Sequence, residues 1–157
     1  MKPTIGIPDH GIEEITTFLN ILLADEYVLY TKTRNAHWNV NGPNFHELHT
    51  FFGNQYGALG GMTDDIAERI RSLGHFAIGS LKDFLSITHM GEEKHDFSNA
   101  TQIIQTLVQD HETIIRIIRN DITPLSDKYE DFGTADFVTG LMKQHEKMTW
   151  MLRAFLN

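Results

Sequence analysis

The stretch His37-Trp38-Asn39-Val40-Asn41-Gly42-Pro43-Asn44-Phe45-His46-Glu47-Leu48-His49 decides the fold. Asn39, Asn41 and Gly42 stop a helix. Pro43 suits the first residue of the next one, where its missing N–H has no helical partner to lose. Two helices joined by about three residues lie side by side and antiparallel. The same stretch carries His37 and His49, twelve residues apart, and the tight connection brings them together.

Upstream, Ile12, Ile15, Leu19, Leu22 and Leu29 recur at helical steps, and Glu26 occupies the missing turn of that apolar stripe. Asp9 is the expected N-cap, with Glu13 and Glu14 at the positive end of the helix. Downstream, the second helix is predicted over residues 43–73 with Gly74 as its cap. A third starts near Ser98, carries Ile103, Ile104, Leu107, His111, Ile114, Ile115 and Ile118, and ends around Pro124. A fourth starts near Thr134 and carries Phe137, Leu141, Met148, Leu152 and Phe155. Met142, Met148 and Met151 are read as core.

The connections give the topology. Between the second and third helices lie residues 74–97, twenty-four in all and enough to cross the length of a bundle. Ser80 and Asp83 bracket the start of a short helix over residues 81–87 within it. The expected fold is all-α, a ferritin-like four-helix bundle with one long crossover carrying a short extra helix, as a single domain over residues 1–157.

Bulk composition narrows the function. The absence of cysteine excludes disulfides, thiolate catalysis and iron–sulfur sites, and is compatible with the cytoplasm. The N-terminus has no apolar leader, and no apolar run is long enough to span a bilayer. A net charge of −8 disfavours a broad basic face for nucleic acid and suits the attraction of cations.

Asp64 and Glu68 sit at i and i+4 on one face of the second helix, fifteen and nineteen residues after His49. Fifteen residues of helix span roughly 22 Å, so one chain cannot place His49 and Asp64 on one ion. A second copy crossing antiparallel can. Two imidazoles and two carboxylates suit Fe2+ or Zn2+ better than Ca2+ or Mg2+. Gly53, Gly57, Gly60 and Gly61 each weaken a helix by about 0.5–1 kcal/mol, so they either break it or mark where it crosses its symmetry mate. A di-iron site inside one bundle needs two Glu-x-x-His pairs; Glu92–His95 is the one pair present, and it lies in the crossover.

Residues 30–49, residues 64–74 and the tail from His145 to Leu156 resemble the Dps family, the ferritin-like mini-ferritins also known as DNA-binding proteins from starved cells. The resemblance covers most of the chain. It implies a hollow homo-dodecamer that oxidises Fe2+ with hydrogen peroxide and stores ferric oxide. The ferroxidase and metal ligands it implies are His37 and His49 of one chain with Asp64 and Glu68 of another, with Trp38 beside the iron as a one-electron donor. One departure stands out. Where the family usually carries an acidic residue one turn after His49, this chain has Gly53, which leaves the second iron position underdetermined; the candidate substitutes are a water or a neighbouring group such as Asp65 or His46. Asp121, Asp127, Asp131 and Asp136 are candidates for acidic entry pores or, equally, polar loop residues with a helix-start aspartate. His111 and His145 are read as satisfied core or interface histidines, and His10, His75, His89 and His95 as terminal or loop residues.

Direct DNA binding is expected to be weak. Twelve copies at −8 carry about −96, which repels phosphate, and Lys2 is the single lysine before the first helix. The alternatives are a DNA-compacting protein with little ferroxidase activity and a metal-inert helical shell.

Overall fold

The computed structural model describes residues 3–91 and 99–156, and every regular element among them is helical. They are α1 (Asp9–Asn39), α2 (Phe45–Ser72), α3 (Leu81–Ile87), α4 (Ala100–Thr123) and α5 (Phe132–Arg153). A π-helical turn, Pro124–Lys128, joins the last two, where a short loop was expected.

The apolar stripe of α1 is the spine of the core. Ile12, Ile15, Leu19, Leu22 and Leu29 are each at most 2% exposed. They pack with Phe52, Leu59, Ile66 and Ile70 of α2, Ile114 and Ile118 of α4, and Val138, Leu141 and Leu152 of α5. Each such side chain contributes about 1.5–3 kcal/mol by leaving water, which is why the stripes fix how the helices roll.

α1 and α2 are antiparallel neighbours, as the tight link requires. α4 runs antiparallel to α1, with Asp110 2.6 Å from Lys32 and Tyr129, beyond the end of α4, packed on Gly11. The crossover climbs along α1. Ile78 N–H donates to Asn20 Oδ1 (3.0 Å), Phe84 stacks on Tyr27 (4.4 Å between ring centroids), and Lys32 Nζ donates to the Gly91 carbonyl (3.0 Å). Between these points the buried Asp25 carboxylate accepts from Thr88 Oγ1 (2.7 Å), the His89 N–H (2.6 Å) and His89 Nδ1 (2.9 Å).

Several expected boundaries move, each for a local reason. Pro8, not Asp9, occupies the N-cap of α1, and Asp9 sits in its first turn. Pro43 lies in the turn before α2, because Phe45 N–H donates to the Gly42 carbonyl and Gly42 adopts φ +109°. Asn99 caps α4 by accepting from Gln102 N–H (3.1 Å); Ser98 lies outside the described residues, as do Glu92 and His95. α5 starts at Phe132, capped by Asp131 through Thr134 N–H, and Phe155 lies past its end. Met142 is buried and Met148 half-buried, but Met151 is 39% exposed and is not core. α2 is unbroken across all four glycines.

Candidate metal centre

The turn at residues 40–44 sets the last turn of α1 against the first turn of α2. The His37 and His49 rings stack there, 3.8 Å between centroids and 23° apart. Each binds the other's backbone: His37 Nδ1 lies 2.6 Å from the His49 carbonyl, and His49 Nδ1 2.8 Å from the His37 carbonyl. A carbonyl oxygen only accepts, so both Nδ1 atoms carry the proton. Both Nε2 atoms are left with a lone pair. This is how metal-binding histidines are oriented and held in the right tautomer.

The α2 glycines divide by direction. A methyl on Gly53 would stand 3.3 Å from Cε1 and Nδ1 of His37, and one on Gly60 would stand 3.5 Å from the Tyr30 ring. These two are seats for α1 side chains. Gly57 and Gly61 face outward, where a methyl would meet nothing within 4 Å. At i, i+4, i+7 and i+11, Gly57, Gly61, Asp64 and Glu68 share one exposed strip.

Asp64 and Glu68 are therefore on the surface, far along α2 from the histidines. Among the described residues no three His, Asp or Glu side chains of one chain converge to hold a metal ion. Asp64 borders an open groove with Leu23, Tyr27, Gly60, Ile78 and Phe84. Trp38, 62% exposed, lies beside the histidines under the Arg34 guanidinium (4.8 Å to the ring centroid). His46 and Asp65 are exposed.

The four candidate pore aspartates differ. Asp131 is 3% exposed, caps α5 and is paired with Arg69 (2.9 Å), so it is the helix-start aspartate. Asp127 and Asp136 face solvent, and partial burial pushes the Asp121 carboxyl up from its usual range.

One polar cluster was not expected. His111 and His145 are core histidines as read, but they are linked to Glu26, the acidic interruption of the α1 stripe. His145 Nε2 lies 2.6 Å from Glu26 Oε1, and His145 Nδ1 2.8 Å from His111 Nδ1. All three side chains are fully buried. Glu26 Oε2 and His111 Nε2 have no hydrogen-bond partner among the described residues. Burial first, then the neighbouring His145, hold His111 well below the ordinary histidine range. The signal was present in the sequence: a carboxylate on an apolar stripe, and two histidines on apolar faces that could meet it. The loop residue His89 bonds to Asp25 across 64 residues, a contact with no signal in the local sequence.

A family model for the ferritin-like domain matches residues 16–157. The chain is 43% identical over 153 residues to an uncharacterized low temperature-induced protein of Nostoc, covering 98% of this chain and 86% of that one. It is 32% identical to DNA protection during starvation protein 2 of Bacillus anthracis, covering 92% and 98%. The crystal structure of Dps from Vibrio cholerae, described as a member of the ferritin-like diiron-carboxylate proteins, superposes with a TM-score of 0.92 at 30% identity, covering 100% of this chain and 98% of that one.

Proposed function

The chain belongs to the Dps branch of the ferritin-like family, and on that premise we propose that it is an iron-storing ferroxidase whose reaction centres lie between two copies of the chain. Its substrates are Fe2+ and hydrogen peroxide, its product is ferric oxide held in a twelve-subunit cage in the cytoplasm, and it protects DNA by removing both reagents of radical formation. The observation that carries this reading is the reciprocal His37–His49 lock, which leaves two imidazole lone pairs side by side at the surface end of a helix pair.

Imidazole and carboxylate oxygen together are a ligand set for Fe2+, and Zn2+ competes for the same donors. Asp64 and Glu68 bring two negative charges that favour the oxidised ion over Fe2+. They reach the histidines of a second copy if the strips of Gly57 and Gly61 face each other across a two-fold axis. Bare glycine backbone lets two helices approach closely, and an isologous contact repeats each site twice. The net charge of −8 on each chain opposes phosphate contacts, so protection of DNA comes through chemistry rather than compaction.

Chain mixing tests this. One variant carries His37→Ala and His49→Ala; the other carries Asp64→Ala and Glu68→Ala. Each alone has a defect in every site and is inactive. Co-assembled, a mixed dimer has one whole site and one empty of all four ligands, so random mixing restores about one quarter of parent peroxide-dependent Fe2+ oxidation. No recovery on mixing removes the shared-site reading. Full activity in either variant alone removes those ligands.

A further inference from the structure

A continuous string of aromatic rings runs through this chain from the histidine pair. His49 stacks on His37; His37 meets Tyr56 edge-on (5.2 Å between centroids); Tyr56 meets Tyr30 edge-on (6.0 Å); Tyr30 meets Tyr27 (5.8 Å). These separations are those of aromatic pairs in van der Waals contact. Two features of α2 and α1 hold the string. Gly53 and Gly60 seat His37 and Tyr30, with Tyr56 between them, and Arg34 Nη1 donates to Tyr30 Oη (3.0 Å).

The far end of the string is as informative. Tyr27 lines the groove that Asp64 borders. In the shared-site dimer proposed above, a chain's histidines serve one metal position and its own Asp64 and Glu68 serve the other. One string therefore runs from the histidine end of one position to the groove that the Asp64 of the other borders.

We infer that Tyr56, Tyr30 and Tyr27 form an electron path that couples the two iron positions of a dimer, so that two irons at separate sites reduce one peroxide. This inference rests on the ferroxidase reading. Gly53 offers no carboxylate for a second iron beside the first, and one Fe2+ supplies one of the two electrons that peroxide needs. In the first step Fe2+ and the Tyr56 phenol each give one electron: Fe2+ + TyrOH + H2O2 + H+ gives Fe3+ + TyrO• + 2 H2O. The O–O bond breaks, and the phenolic proton passes to the water formed. The radical then moves by hydrogen-atom equivalents through Tyr30 to Tyr27. There Fe2+ at the second position and one proton return it to tyrosine. The net change is 2 Fe2+ + H2O2 + 2 H+ to 2 Fe3+ + 2 H2O. All three tyrosines are half-buried, which shields the radical while it crosses. Among the described residues no ring contact joins Trp38 to the string; the Arg34 guanidinium lies over Trp38 at 4.8 Å and over Tyr30 and Tyr56 at 5.9 Å each.

The test is rapid-freeze electron paramagnetic resonance on assembled protein loaded with one Fe2+ per site and mixed with hydrogen peroxide, with a spin trap in a parallel reaction. Tyr56→Phe and Tyr30→Phe keep the rings and the packing. The parent is expected to show a transient tyrosyl signal, two irons oxidised per peroxide and little hydroxyl-radical adduct. Tyr56→Phe is expected to bind Fe2+ as the parent does, lose the signal, move towards one iron per peroxide and yield severalfold more adduct. If both variants keep the parent stoichiometry and adduct yield, the electron path is wrong while the ferroxidase reading stands. A tryptophan radical that persists in Tyr56→Phe overturns it in favour of Trp38. If the parent oxidises no Fe2+ with peroxide, the ferroxidase reading falls and takes the path with it.

Discussion

His37 packs against the bare backbone of Gly53, at a distance where a single added carbon would stand 3.3 Å from two atoms of the ring. The residue that departs from the family pattern is thus the one on which His37 packs. Any side chain at this position requires the imidazole to give by a few tenths of an ångström.

Gly53→Ala separates helix stability from ligand placement. Alanine favours the α2 helix by about 0.5–1 kcal/mol. Its methyl also crowds the His37 ring, which must give by a few tenths of an ångström against its bond to the His49 carbonyl, and disturbing such an orienting bond costs about 10-fold in metal affinity. The thermal midpoint is expected to hold or rise while Fe2+ affinity, measured by anaerobic titration, falls. Unchanged affinity would show that the ring yields freely.

Glu26→Ala leaves the buried His145 without its carboxylate. Leaving a buried hydrogen-bonding group without its partner costs about 1–3 kcal/mol, measurable by urea unfolding. A loss under about 1 kcal/mol would mean the cluster is neutral and slack.

The same cluster makes stability depend on pH. His111 has a folded pKa below its unfolded value of 6.5. As pH falls through 6.5 the unfolded chain takes up this proton first, so the stability His111 allows is present above that value and is lost below it. Unfolding midpoints should decline between about pH 7 and about pH 5, and His111→Asn should flatten the decline. Equal slopes in the two proteins would assign the effect to other groups.

Asp25→Ala removes the acceptor of three bonds from Thr88 and His89. Bonds to a charged acceptor are worth about 1.5–3 kcal/mol each before compensation, and the loss should be local. Amide exchange at His89 and through α3 is expected to accelerate well beyond that of α4. A uniform acceleration across all helices would show that the crossover is no separate unit.

Asp131→Ala removes an N-cap and an Arg69 partner together. Caps of this kind are worth about 0.5–2 kcal/mol. Fe2+ uptake kinetics should not change, because the carboxylate is buried; slower uptake would return Asp131 to the entry path.

Much of the fold was legible because it rests on local regularities. The apolar stripe of α1, the stop at Asn39–Gly42 and the Ser80–Asp83 box each follow from period and capping chemistry within a few residues. The errors fall where a distant partner intervenes. The alternatives left open at Asp131, entry-pore carboxylate or helix-start aspartate, are decided by its burial against Arg69, 62 residues away. Met151 keeps the helical spacing of a core residue yet faces outward, since spacing alone does not say which faces are covered.

For the candidate site, the sequence by itself determined that His49 and Asp64 lie too far apart along one helix to share an ion, because rise per residue is a property of any helix. Only the tertiary structure decided the rest. Which imidazole nitrogen carries the proton depends on a carbonyl twelve residues away. Whether a glycine seats a ring or faces outward depends on how α2 rolls against α1. Whether Glu26 interrupts a stripe or anchors a buried cluster depends on histidines from two other helices. These are relations between surfaces that meet only when the chain is packed, and the period of a single helix does not encode them.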